Sequence, residues 1–92
     1  MSHKDFLIGN VVHVLDGDTF ELTVTRVGKK NRNIYDEEEK IHINRLKPAE
    51  IVSLVGARPK PLLERMLMKR EVMCLVNSRE PGGKIEADVF IM

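Results

Sequence analysis

Apolar and polar residues alternate along much of this chain with the two-residue period of strands buried on one face. The clearest run is Thr19 to Val27, where Phe20, Leu22 and Val24 alternate with Glu21, Thr23 and Thr25. Ahead of it, Phe6 to Leu15 is apolar and β-branched, and Gly9-Asn10 near its start predicts a bend or bulge in a first strand. Gly28 to Asn33 is polar and basic, the composition of a hairpin loop. Ile34 and Tyr35 are then expected to reopen the ladder before Asp36-Glu37-Glu38-Glu39 interrupts it. Ile41-His42-Ile43 resumes it as a third strand ending near Leu46, because Pro48 carries no amide proton and holds Lys47 extended.

The period changes after Pro59. Leu62, Leu63, Met66 and Leu67 share one face at helical spacing while Glu64, Arg65 and Lys69 fall toward water, which predicts a helix with Pro61 in its first turn and an end near Arg70. Val72 to Val76 reads as a fourth strand and Pro81-Gly82-Gly83 as a turn. Ile85 to Ile91 reads as a fifth strand, with Ile85, Ala87, Val89 and Ile91 on one side. Three strands, a helix and two more strands is the order of an OB-fold, a five-stranded Greek-key barrel with its helix between strands 3 and 4. The expected class is therefore mainly β with one helix, in a single domain over residues 1–92, a length that suits one small core.

Composition narrows the function classes. Hydrophobic content of 42% and charged content of 32% describe a globular chain, not a disordered tail. A formal net charge of +1 argues against whole-molecule attraction to nucleic acid or anionic lipid, so any such contact must come from a local patch. The single cysteine, Cys74, lies in the apolar run Val72 to Val76 and reads as a small buried hydrophobe. No Cys/His cluster has zinc-ligand spacing. No apolar stretch approaches the length of a membrane span, so the expectation is a cytoplasmic protein with no membrane partner.

Chemistry concentrates at Asp16-Gly17-Asp18-Thr19, a corner between two apolar runs with two carboxylates at its tip. Asp and Gly are preferred turn residues, so the corner also occurs as a plain hairpin. Val14-Leu15-Asp16-Gly17-Asp18-Thr19-Phe20, followed by Ile41-His42-Ile43-Asn44-Arg45-Leu46-Lys47-Pro48-Ala49-Glu50, resembles the staphylococcal nuclease-like (thermonuclease) family. That family's signatures read V-x-D-G-D-T and R-L-x-x-x-D-x-P-E, and its fold is an OB barrel with this helix. The resemblance gives Asp18 the place of a calcium-binding carboxylate, Asp16 a supporting place, and Glu50 the place of the general base. His42 takes the place of the first phosphate-binding arginine, and Lys84 that of the arginine in the family's Y-G-R turn. Lys47 stands where the family has its second calcium-ligating aspartate. The family continues into further helices beyond the barrel, and a domain lacking them is expected here.

These departures matter physically. Calcium takes six to eight oxygen ligands, and an ammonium supplies none. Lys47 is expected instead to pair with Asp18 in the cation's place. Arginine offers a permanent bidentate fork, whereas Lys84 offers a point charge and an unperturbed His42 is mostly neutral near pH 7. The expectation is a nuclease-homologous domain with an impaired catalytic set, retained for nucleic-acid or protein binding, with no cofactor. The alternative is an active calcium-dependent phosphodiesterase acting on DNA or RNA.

For binding, OB-folds combine a basic groove with aromatic platforms on which bases stack. Tyr35, beside Lys29, Lys30 and Arg32, is the expected exposed platform for single-stranded DNA or RNA. Arg58, Lys60, Arg65, Lys69 and Arg70 form a second basic cluster that reads most simply as a solvated helix face. The acidic run Asp36 to Glu39 opposes nucleic acid wherever it shares the basic side. A third class, a protein partner or homo-oligomer, is motivated by the apolar Ile51-Val52-Ser53-Leu54-Val55.

Overall fold

The computed structural model describes residues 4–47 and 59–92. Five strands close into a barrel, β1 (Phe6–Val14), β2 (Thr19–Val27), β3 (Glu38–Lys47), β4 (Glu71–Arg79) and β5 (Ile85–Ile91), in the spatial order β1-β2-β3-β5-β4. Every neighbouring pair is antiparallel except β3 with β5, which run parallel. One helix, α1 (Lys60–Leu67), lies between β3 and β4 in the chain. This is the OB-like barrel with one helix that the element order predicts.

The alternation places its residues as expected. Phe20, Leu22, Ile41, Ile85, Ala87 and Val89 are fully buried in one core with Leu7 and Val72, and α1 adds Leu63, Met66 and Leu67. Cys74 belongs to the same core, and burial pushes its thiol up to about 12, so it acts there as a small hydrophobe. The bend predicted at Gly9 is a register shift between Ile8 and Gly9, where Thr25 is skipped in the pairing and its hydroxyl donates to the Ile8 carbonyl at 3.2 Å. Gly9 permits the close approach, because a Cβ there would stand 2.2 Å from the Thr23 carbonyl oxygen.

Three element boundaries differ from the expectation. Ile34 and Tyr35 do not reopen the ladder, and the acidic run does not interrupt it, since β3 begins at Glu38. Glu39 points inward at 6% exposure and pairs with Arg79 at 3.0 Å, which lets an acidic residue occupy a core-facing strand position. Arg79 in turn extends β4 beyond Val76. The helix ends at Leu67, short of Arg70, because Lys69 adopts φ 64° and its N–H donates to the Val11 carbonyl at 3.0 Å, turning the chain toward β1.

Candidate functional site

The corner between β1 and β2 is a tight, internally bonded turn. The Leu15 and Asp16 amides donate to the Thr19 carbonyl at 2.9 and 3.3 Å, and the Asp18 amide donates to Asp16 Oδ1 at 3.0 Å. The latter is the self-capping geometry that makes Asp a turn residue. Asp18 Oδ1 accepts the Thr19 hydroxyl at 3.1 Å.

Thr19 pairs with His42 across the β2–β3 ladder, and that register brings the imidazole beside the corner. His42 Nε2 lies 3.2 Å from Asp18 Oδ2, and Nδ1 lies 2.5 Å from Glu80 Oε2. Both partners are carboxylates, and only the doubly protonated ring donates to two acceptors. The hydrogen bond to Glu80, opposed by burial and reinforced by the charges of Glu80 and Asp18, raises the His42 pKa above the ordinary histidine value. The ring is therefore not in the unperturbed setting that sequence alone allows for, because Glu80 lies thirty-eight residues away in the chain and its approach is a tertiary event.

Glu80 was not singled out from sequence. It opens the β4–β5 turn, where the Glu80 amide donates to the Lys84 carbonyl at 2.7 Å, the Gly83 amide donates to the Glu80 carbonyl at 2.9 Å, and Gly83 takes φ 96°. An acidic residue next to Pro81-Gly82-Gly83 was the available signal, and turn chemistry alone accounted for it. Lys84 sits at the far side of that turn, so the structure brings the corner, His42 and the Lys84 turn to one place.

Lys47 is not part of that place. It is exposed, pairs with Phe90 of β5, and stands five residues farther along β3 than His42. The expected Lys47–Asp18 pair does not form among the described residues, because Asp18 already meets the His42 ring. Glu50, Pro48, Ala49 and Ile51 to Val55 lie outside the described residues. Both Asp18 oxygens and Asp16 Oδ1 take part in hydrogen bonds, and among the described residues no group of three or more His, Cys, Asp or Glu side chains is placed to hold a metal.

The segment Arg32 to Tyr35 after β2 is held by a buried carboxylate. Asp5, 5% exposed, accepts the Arg32 amide at 2.8 Å, the Asn33 amide and Asn33 Nδ2 each at 3.1 Å, and the Tyr35 hydroxyl at 2.7 Å. Burial works to raise the Asp5 carboxyl, and these hydrogen bonds outweigh it and hold the group below the ordinary aspartate value. Burial and the Asp5 hydrogen bond push the Tyr35 hydroxyl up to about 12. The Tyr35 ring packs against the core, with the Arg79 guanidinium 5.7 Å from its centroid. Tyr35 is therefore half-buried where its polar surroundings in sequence predict a fully exposed ring, and it still lines a cleft.

The four predicted binding residues divide between two hollows. Arg32 and Tyr35 border a cleft of about 530 Å³ that Lys4 and Arg79 also line. Lys29 and Lys30 border a second hollow of about 510 Å³ with Phe6, Arg26 and Val27. Asp36 and Glu37 reach a shallow depression beside Arg26, so the basic end carries an acidic edge. Lys60, Arg65, Lys69 and Arg70 are exposed on and after α1, and Arg58 lies outside the described residues. Against known proteins, the chain matches no family model, no curated protein and no solved structure.

Proposed function

We propose that this chain is a nuclease-like OB-fold domain with an impaired catalytic set that binds single-stranded nucleic acid through the loop between β2 and β3. The observation that carries the reading is the His42 ring held between Asp18 and Glu80. Phosphodiester hydrolysis needs a base to orient water and donors aimed at the phosphoryl oxygens. Here both nitrogens of the His42 ring face carboxylates, Asp18 and Glu80, and are not aimed at a phosphoryl oxygen. Glu50 remains the candidate base on the resemblance alone.

Binding draws on different residues. Arg26, Lys29, Lys30 and Arg32 take part in no ion pair among the described residues, and the Asp5 hydrogen bonds hold their loop in place. Three phosphate contacts to a single strand correspond to a slope near −2 in log K against log salt, a loss of roughly fifteen- to twentyfold between about 50 and 200 mM. The test incubates labelled DNA and RNA oligonucleotides with the protein and calcium, with and without chelator, and measures fluorescence anisotropy over that salt range. Salt-sensitive binding without cleavage is expected. Turnover that chelation and Glu50→Gln both abolish would establish the calcium-dependent phosphodiesterase instead. Ile34 at 94% exposure and Val27 at 52% favour a second reading, association with another protein or another copy, which concentration-dependent sedimentation detects.

A further inference from the structure

Phe6 opens β1 at the base of the loop between β2 and β3. Its backbone is pinned on both sides by the β2–β3 loop: its amide donates to Asn31 Oδ1 at 3.0 Å, and its carbonyl accepts Asn31 Nδ2 at 2.9 Å and the Gly28 amide at 3.1 Å. The ring lies directly against Gly28, where a Cβ would stand 2.7 Å from Phe6 Cε1 and 2.5 Å from Asn31 Oδ1. Glycine thus allows the loop backbone to rest on the ring and fix it. Phe6 stays half-buried and lines the hollow of about 510 Å³, beside exposed Val27 and the cations Arg26, Lys29 and Lys30.

We infer that this hollow is a nucleotide subsite in which a base stacks on Phe6 while Lys29, Lys30 and Arg26 contact the flanking phosphates. The inference rests on the nucleic-acid reading above and names its aromatic platform. A preformed hollow of this size falls in the range of small-ligand sites, and an aromatic ring fixed before binding loses little further freedom. Its chemistry asks for a ligand that is flat and apolar on one side and negatively charged at its edges, which a nucleotide of a single strand supplies. Asp36 and Glu37 border the Arg26 side, so the strand enters from the side of Lys29 and Lys30. A membrane surface would share the cations, but it favours protruding apolar side chains, and Phe6 lines a concavity.

The chain contains no tryptophan, so Phe6→Trp introduces a single fluorescent reporter at the platform. Oligothymidylate is expected to quench it, while an abasic strand of equal length and charge leaves it unchanged. Phe6→Leu is expected to weaken oligothymidylate binding by roughly 5- to 100-fold. Lys29→Gln with Lys30→Gln is expected to reduce the salt slope by about 1.4. If the wild-type protein binds oligothymidylate but the Trp reporter is silent and Phe6→Leu binds equally well, the subsite is overturned and the wider binding reading stands. If wild-type binds neither DNA nor RNA, both fail. A blue-shifted reporter on phosphatidylserine vesicles, with no response to oligonucleotide, overturns the subsite in favour of a lipid surface. Should Phe6→Leu fail to fold, the abasic comparison on the wild-type protein and the Phe6→Trp signal decide alone.

Discussion

Asp5→Asn is the substitution that most directly tests how the binding loop is held. The wild-type carboxylate takes one hydrogen bond on Oδ1, from the Arg32 amide, and three on Oδ2, from the Asn33 amide, Asn33 Nδ2 and the Tyr35 hydroxyl. An asparagine keeps one acceptor oxygen. Its best orientation turns that oxygen toward the three donors and leaves its own amide facing the Arg32 N–H. An orphaned buried donor costs about 1–3 kcal/mol, and each of three surviving bonds loses roughly 1 kcal/mol with the charge, so the expected total is about 4–6 kcal/mol. Against the roughly 5–14 kcal/mol typical of a domain this size, that is a large share of stability.

Urea denaturation of wild type and Asp5→Asn across pH tests this value. The folded carboxyl lies below the ordinary aspartate value, so its contribution is complete above the unfolded pKa of about 3.9 and is lost as pH falls through the folded pKa. The gap between the two proteins is therefore expected near its full size at neutral pH and to narrow under strongly acid conditions, where the wild-type carboxyl is itself protonated. A gap below about 1 kcal/mol at neutral pH, or one that fails to narrow in acid, would refute the hydrogen-bonded carboxylate. The same variant is expected to weaken oligonucleotide binding, because the loop carrying Lys29, Lys30 and Arg32 loses its anchor.

Three further outcomes follow from the barrel and the histidine. NMR titration of His42 is expected to give a pKa above 6.5, with Glu80→Gln lowering it more than Asp18→Asn; a midpoint at or below 6.5 would exclude the bridged ring. Because the folded state holds this proton more tightly than the unfolded chain, the stabilisation is complete below the unfolded pKa and fades as pH rises through the folded one, a slope that His42→Gln abolishes. Gly9→Ala places a methyl 2.2 Å from the Thr23 carbonyl oxygen and 3.0 Å from Leu22 Cγ, and backbone cannot yield as a side chain can. A loss of about 1–3 kcal/mol is expected in thermal denaturation, and an unchanged melting temperature would contradict the bulge register.

What is legible in this chain depends on how far apart the cooperating residues are. Phe20, Leu22 and Val24 announce β2 because a strand buried on one face needs only its own alternation. Gly9 announces the bulge for the same local reason. Glu39 gives no such signal, since a carboxylate can face the core only when Arg79, forty residues later, arrives to pair with it. Tyr35 reads as an exposed aromatic among polar neighbours until Asp5, thirty residues earlier, takes its hydroxyl. Phe6 was hidden differently: it opens an apolar strand and carries no local signal of its own, and the loop folded over Gly28 places it beside a hollow.

The Asp16 to Thr19 corner joins both kinds of information. Its turn is local, and the hydrogen bonds from the Asp18 amide to Asp16 and from the Thr19 hydroxyl to Asp18 form whatever lies nearby. The countercharge is not local. The resemblance to calcium-dependent nucleases puts a divalent ion opposite Asp18, and the ladder register instead puts His42 there, with Glu80 closing on its other nitrogen. A metal entering this place would have to displace a ring that two carboxylates hold, and Lys47, five residues farther along β3, brings no second carboxylate to it. The His42 ring meets both carboxylates at once, Nε2 facing Asp18 and Nδ1 facing Glu80. The same corner thus ties the β1–β2 turn to the β4–β5 turn through a single ring.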